Sequence, residues 1–221
     1  MSSWTTNVLK VGTAIKSFTI NDGIQDVGQN RIFRGMTVGS ATFSIAPNQM
    51  AGATFNFVGR DMTTSASPAR PTTTPASGNQ PFDSCSGQIQ IGNAGGTLTS
   101  IATITSIELT INNDMSPAFV VGSCSAAQLE YGMATVSGTI SAYFDGLNLY
   151  NRFMNETETA ISFTLNNAVG TRPYTFLIPR AKFNTGDMPV SGPKSRIMTI
   201  GFSAIYDATT DTVLQLTRTV P

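Results

Sequence analysis

The sequence predicts an all-β protein with one short flanking α-helix, and three observations support this fold class. Apolar residues alternate with Ser, Thr and Asn at period two along most of the chain, which is typical of strands with one buried face. The length of 221 residues fits one all-β domain, and the 40% hydrophobic content suffices for a core. Only one segment has the three- and four-residue apolar spacing of a helix. Residues 1–221 are therefore expected to form a single domain.

The strands begin with a predicted β-hairpin over about residues 37–59. Phe43 and Ile45 alternate with small polar residues, and the run from Ala51 to Phe57 does the same, while the intervening residues 46–50 contain turn formers. Residues 92–96 are Gly-rich and also predict a hairpin turn, because strand-like residues follow them. Further strands are predicted at 103–111, 136–144, 161–165, 174–178 and 198–206, with 112–114 ending the first of them and 166–171 forming a hairpin connection.

The helix is predicted over about residues 146–156, with Asp145 as its N-cap. Its apolar residues recur at helical spacing, and we expect them to pack on a sheet rather than to form a ligand groove, since such stripes normally face a core. The residues concerned are Leu149, Tyr150, Phe153 and Met154.

An irregular loop is predicted at about residues 60–83, because residues 63–83 contain four prolines and no apolar periodicity. The residues before it are too few for an independent core, so we expect an arm that contacts a neighbouring subunit or ring rather than an interdomain linker. The residues assigned to this candidate arm are Thr63, Pro68, Arg70, Pro71, Thr73, Pro75 and Phe82. For a second irregular stretch, residues 184–196, an inter-ring contact and an ordinary surface loop are equally favoured.

The charge balance favours self-association and excludes several classes of partner. Thirteen basic and thirteen acidic residues cancel, and only 12% of the residues are charged. Specific nucleic-acid binding lacks the required basic excess, and no apolar run approaches the ~20 residues of a membrane span. No secretory signal is visible at the N-terminus, so Cys85 and Cys124 are expected to be two separate buried thiols rather than a disulfide.

The residue inventory argues against catalysis. The chain has no histidine, which excludes Ser-His-Asp and Cys-His catalysis and removes the commonest metal ligand. The two cysteines are too distant in sequence for a zinc or redox motif, and no acidic pair has the placement that a glycosidase needs. We therefore predict no enzymatic activity, no cofactor and no metal site.

Several segments together resemble the tail tube proteins of long-tailed, siphovirus-like bacteriophages and related gene-transfer particles. No single motif is diagnostic, but their order and spacing extend from about residue 17 to residue 217. The segments are 33–38 (FRGMTV), 43–49 (FSIAPNQ), 52–59 (GATFNFVG), 109–113 (LTINN), 122–123 (GS), 131–132 (YG), 136–139 (VSGT), 149–153 (LYNRF), 176–183 (FLIPRAKF) and 202–210 (FSAIYDATT). Family members often carry more sequence before the segment matching residues 17–60. This chain is therefore expected to be a compact member, or else some N-terminal strand-forming sequence is missing or supplied differently.

The resemblance implies a β-sandwich or barrel with one helix on its flank, whose inner strands join those of other copies into a shared barrel within a hexameric ring. Rings would stack into a tube in the virion tail after synthesis in the host cytoplasm. The expected partners are other copies, the tape measure protein, the tail terminator and distal tail or baseplate proteins. DNA would pass non-specifically through the lumen, since a wall of Thr, Ser and Asn lacks the Lys and Arg that hold phosphate.

Two alternatives are kept at this point. One is another tail ring component, such as a distal tail or terminator protein. The other is a β-sandwich carbohydrate- or receptor-binding module, which would be expected to expose aromatic residues on a sheet face. Trp4 is the only tryptophan and most of the thirteen Phe residues occupy core-facing strand positions, which disfavours the second alternative.

Overall fold

The computed structural model describes residues 7–12, 14–70, 72, 74, 75, 78, 80–166, 173–189 and 195–219. These residues form fifteen strands and one helix, α1 (Asn148–Met154), which confirms the predicted fold class. The strands are β1 (Val8–Lys10), β2 (Phe18–Ile24), β3 (Gln29–Ile45), β4 (Gly52–Val58), β5 (Asp61–Ser65), β6 (Asp83–Asn93), β7 (Thr99–Ser100), β8 (Ile104–Asn112), β9 (Met115–Ala118), β10 (Gln128–Tyr131), β11 (Thr135–Tyr143), β12 (Thr159–Asn166), β13 (Tyr174–Asp187), β14 (Ile197–Ala204) and β15 (Gln215–Arg218).

One large antiparallel sheet contains thirteen of these strands, and β9 and β10 form a separate hairpin. The strand order along the main path of the large sheet is β2-β3-β8-β11-β14-β13-β12-β6-β7. In addition, β4 and β5 pair with β3, β15 pairs with β13, and β1 pairs with β15. Among the described residues no ladder joins β6 to β3 or β8, so the sheet does not close into a barrel. A cleft of about 310 Å³ lies at this opening, between Ile89 on one side and Ile45 and Ile104 on the other.

The core lies on one face of the sheet, because the apolar residues of successive strands share that face. Phe163 of β12 stacks on Phe176 of β13 with ring centroids 4.5 Å apart, and Phe43 of β3 packs against Phe176 at 4.9 Å. Leu109, Ile140, Ile161, Ile178, Ile200 and Phe202 are almost completely buried. Each such side chain contributes about 1.5–3 kcal/mol of hydrophobic free energy relative to an exposed position, so this cluster is the main stabilising element.

The predicted hairpin over 37–59 and its turn are confirmed by the β3–β4 ladder. The predicted stop after β8 is also confirmed, since Asp114 has a left-handed φ of 46° and its amide donates to Asn112 Oδ1 at 3.0 Å. The turn at 92–96 connects β6 to β7, and Gly95 has the φ of 72° that glycine permits without strain. The predicted connection over 166–171 lies, apart from Asn166, outside the described residues.

The helix prediction was wrong in its length and its cap. The helix has seven residues, its N-cap is Leu147, and no side chain caps it. Asp145 precedes the first helical residue by three positions, too early for the usual bond to the second or third amide of the helix. At the other end Glu156 takes a left-handed φ of 49°, and the helix ends two residues before its predicted end.

Two segments that were predicted to be irregular are shorter than predicted. Residues 63–65 belong to β5, which pairs with residues 30–34 of β3, and Asp83 already begins β6. Residues 184–187 continue β13, and the β13–β14 ladder contains a β-bulge near Asn184. Residues 190–194 lie outside the described residues.

Cys124 is exposed, contrary to the prediction of a buried thiol, because it lies in the loop between β9 and β10 rather than on the sheet. The side chain of Cys85 is not among those described.

Candidate functional site

A continuous polar surface covers the face of the sheet opposite the core. It extends over six strands in the order β4-β3-β8-β11-β14-β13, and we call it the polar face. Period-two alternation puts Ser, Thr and Asn side chains in rows across these strands. One row consists of Thr54, Thr42, Thr110, Ser137, Ser203 and Lys182.

Hydrogen bonds between neighbouring strands tie these small side chains together. Thr42 and Thr110 hydroxyls are 3.2 Å apart, and the Asn56 amide donates to Ser40 Oγ at 2.9 Å. Such cross-strand pairs hold short side chains flat against the sheet, so few groups project from it.

Charged side chains are sparse on the polar face. Of the residues that these six strands place there, Glu108, Lys182, Asp187 and Arg180 are charged; Arg180 precedes the buried Ala181 on β13 and is ion-paired with Glu158. Lys182 lies near one edge and forms an ion pair with Glu156 at 3.2 Å, whereas Glu108 lies centrally between Ser44 and Thr139. The polar face therefore offers hydroxyl and amide groups without a cationic patch that could hold phosphate.

The six-stranded polar face has two unlike free edges. No described strand pairs with the outer side of β4, which β9 contacts without forming a ladder. At the other edge, residues 182–187 of β13 pair with β14 on one side and with no described strand on the other. Here α1 covers the core side, where Gly186 allows the Phe153 ring to approach within 2.9 Å of the place a Cβ would occupy.

The four predicted helix residues have unequal environments. Leu149 is buried, and Tyr150 and Phe153 are half-buried with ring centroids 6.2 Å apart. Met154 is 58% exposed and faces away from this packing. The helix thus contacts the sheet with one narrow stripe and leaves apolar surface at the β13 edge.

The candidate arm residues are also divided between different surroundings. Thr63 lies on β5, where its hydroxyl accepts a 2.9 Å bond from Arg34; Pro68, Arg70 and Pro75 are exposed and outside strands. Phe82 packs edge-on against Tyr174 at 5.3 Å, and its carbonyl accepts the Ala51 amide at 2.9 Å. Phe82 is therefore anchored within its own chain. Pro71 and Thr73 lie outside the described residues.

A three-stranded extension precedes this arm, formed by β2, residues 29–36 of β3, and β5. Only Ile32 is buried in it, so its three strands expose most of both surfaces. An Asp22–Arg31 ion pair joins β2 to β3, and Asn21 Oδ1 accepts the Ala69 amide at 2.9 Å. Sequence reasoning missed this extension because its few apolar residues, such as Phe18, Ile20 and Ile32, are interrupted by charged residues, Asn and Gly.

The carboxyl groups whose pKa values are shifted lie in loops next to β12, β13 and β14 and do not line a cleft. The Arg180 guanidinium, which donates to Glu158 at 2.6 and 2.8 Å, lowers the pKa of that carboxyl. Two hydrogen bonds of 2.8 Å from the amide and hydroxyl of Thr210 lower the pKa of Asp207.

In the described part of the chain no three His, Cys, Asp or Glu residues are placed to hold a metal. Nor does that part contain a helix with the length and apolarity to cross a membrane.

Comparison with known families identifies this architecture. A family described as phage tail tube protein matches residues 1–204. The chain belongs to that family. No curated protein matches it. Among solved structures, a chain of the anti-feeding prophage baseplate, determined by cryo-EM, is similar with 16% identity and a TM-score of 0.39. That match covers 59% of this chain and 92% of the other.

Membership of the tail tube family assigns a structural role in the phage tail, and thus in the virion, to this chain. The prediction of a non-enzymatic protein is confirmed, because the family is structural. Tail tube proteins assemble into tail structures, which is consistent with a charge-poor subunit in which neither edge of the polar face pairs with a further described strand.

Proposed function

We propose that this tail tube protein forms hexameric rings that stack into the tube of a long-tailed phage, through which DNA leaves the virion at ejection. The observation that carries this proposal is the polar face, six strands wide and bounded by two different free edges. A sheet with two unlike edges associates head to tail, and such contacts close into rings when the rotation permits.

The alternation of strand direction supports ring closure by strand pairing. All five ladders across the polar face are antiparallel, so β4 and residues 182–187 of β13 run in opposite directions. A rotation about an axis parallel to the strands leaves the direction of every strand unchanged. The β4 edge of one copy would therefore meet the β13 edge of the next copy in antiparallel orientation. A shared barrel built in this way leaves no edge exposed.

The polar face is the surface that we assign to the lumen. Its hydroxyl and amide side chains remain hydrated, and Glu108 adds negative charge to the centre of the face. Because affinity for DNA depends on Lys and Arg contacts to phosphate, such a wall lets the genome pass without being retained. The tape measure protein would occupy the same lumen before ejection.

The stacking contacts are assigned to the three-stranded extension and to residues 66–80, which follow it in the sequence. Replacing residues 67–80 by a Gly/Ser linker of equal length keeps the number of residues between β5 and β6 while removing three of the four prolines and Arg70. We expect a folded subunit that forms rings but no long tubes, as measured by negative-stain imaging. Tubes of normal length from this variant would exclude these residues as a stacking contact.

The proposal as a whole is tested by purifying the chain and combining size-exclusion chromatography with negative-stain imaging. Rings or tubes of uniform bore are the expected result. Single rings that never stack would favour a terminator or distal tail component, whereas a persistent monomer retained on a carbohydrate column would favour a binding module.

A further inference from the structure

An exposed row of aromatic side chains lies on the core side of the free edge strand β4. Phe18 is 50% exposed, Phe55 47% and Phe57 39%, and we call these three residues the aromatic stripe. Phe18 contacts Phe57 edge-on at 6.3 Å, and Phe55 contacts the core residue Phe43 at 5.9 Å. The stripe is therefore an extension of the core beyond the last strand that the fold covers.

The stripe lies on an edge that lacks the usual protection of a free subunit. Free edge strands normally carry charges, proline or bulges that block pairing with other chains. From Gly52 to Val58, β4 contains no charged residue and no proline. It alternates Thr54 and Asn56 on the polar face with phenylalanines on the other, and so is a template for a further strand.

The exposed area of the stripe is large enough to contribute to a stable interface. An aromatic side chain buries about 150–250 Å², so these three exposures leave roughly 200–350 Å² uncovered. This is on the order of a third of the ~800 Å² that each partner contributes to a standard interface. The backbone edge of β4 and its polar neighbours supply further area on the same surface.

The opposite end of the sheet offers the matching surface. When two copies pair edge to edge, the core side of β4 continues into the core side of β13 in the neighbour, where α1 lies over Gly186. Beside this edge, Leu147 is 57% and Met154 58% exposed. Both surfaces expose apolar side chains on the core side of their strands, and the Lys182–Glu156 ion pair lies at the β13 edge.

We propose that the aromatic stripe binds a second copy of this chain, with β4 pairing along residues 182–187 of the neighbour and Phe55 and Phe57 packing beside its α1. This inference rests on the proposed tube function and specifies the contact within a ring. It places the polar residues of β4 and β13 side by side in the lumen and the apolar residues together outside it.

The test is a double substitution, Phe55→Thr with Phe57→Thr, which keeps β propensity while removing the aromatic surface. We expect a folded subunit, judged by circular dichroism and thermal unfolding, that sediments as a monomer at concentrations where the wild type forms rings or tubes. The matched control is Phe119→Thr, which removes an aromatic ring that is 65% exposed outside the stripe, in the loop after β9, and should assemble like the wild type.

The possible outcomes separate this inference from the proposed function. Normal rings or tubes from the double variant overturn the inference and leave the tube function intact. A wild-type chain that stays monomeric in every condition overturns both.

A second measurement covers a variant that fails to fold. Hydrogen exchange of the wild type should slow by at least about tenfold for β4 and residues 182–187 on assembly. Unchanged exchange at either edge contradicts the inference.

Discussion

The half of the molecule built on β11, β14, β13 and β12 differs sharply from the half built on β4, β2 and β5. In the first, Ile140, Ile200, Phe176 and Ile161 are almost fully buried. In the second, β4 is exposed along nearly its whole length, and the side chains of the aromatic stripe stay 39–50% exposed. Hydrophobic burial thus stabilises one half in the isolated subunit, whereas the other half retains exposed apolar surface, which we propose binds a neighbouring subunit.

The sharpest test of this comparison is one aromatic truncation in each half. Phe163→Ala removes a ring that is 1% exposed and stacked on Phe176, so we expect a loss of about 3–5 kcal/mol in the free energy of unfolding. Phe57→Ala removes a ring that is already 39% exposed and should cost less than half as much. Urea denaturation of unassembled protein measures both; equal losses would mean that β4 is as well packed as the core.

A smaller effect is expected where the loop between β9 and β10 meets the end of β4. Arg60 donates from Nε to the Ala126 carbonyl at 3.2 Å and from its terminal nitrogen to the Ala127 carbonyl at 2.6 Å. These bonds hold the loop between β9 and β10 against the end of β4. Arg60→Ala should destabilise this loop by about 1.5–3 kcal/mol, since bonds to charged donors have that strength.

Hydrogen exchange of the β9–β10 amides measures this change. Arg34→Ala is the matched control, because Arg34 bonds to Thr63 and not to the loop. If both variants accelerate exchange in the loop equally, the Arg60 bonds are not what holds it.

The smallest effect concerns the ion pair between Glu158 and Arg180. The folded pKa of Glu158 is lowered, so the pair contributes stability above the ordinary carboxyl pKa and loses it as pH falls through the folded pKa. Glu158→Gln should therefore lower the melting temperature slightly at pH 7 and not at all near pH 2. Glu130→Gln, at an exposed carboxyl on β10, is the control. If Glu158→Gln lowers the melting temperature equally at both pH values, the stabilisation does not depend on the ionisation of Glu158.

The sequence allowed the central strands to be predicted because they alternate strictly between apolar and small polar residues. β8, β11 and β14 lie close to the predicted positions for that reason. The polar face was predictable in composition, but which strands share it depends on pairings such as β11 with β14, whose partners are some 60 residues apart. Such long-range registers leave no local signal.

Other errors arise from features that short-range patterns do not encode. Asp145 fits an N-cap in sequence, yet the helix begins only after Leu147. Residues 63–65 look irregular because Thr and Ser lack an apolar partner, although they pair with β3. Phe55 and Phe57 were correctly placed on the core side of a strand, but alternation cannot show that β4 lies beyond the edge of the core.

The central claim is that the polar face lines the bore of a tube and the aromatic stripe lies between subunits outside it. A cryo-EM reconstruction of assembled wild-type protein tests both placements at once. The account predicts that Thr42, Thr110 and Ser137 face the lumen and that β4 pairs with the neighbouring subunit. A reconstruction with these three residues on the outer wall of the tube, or with β4 unpaired, would contradict it.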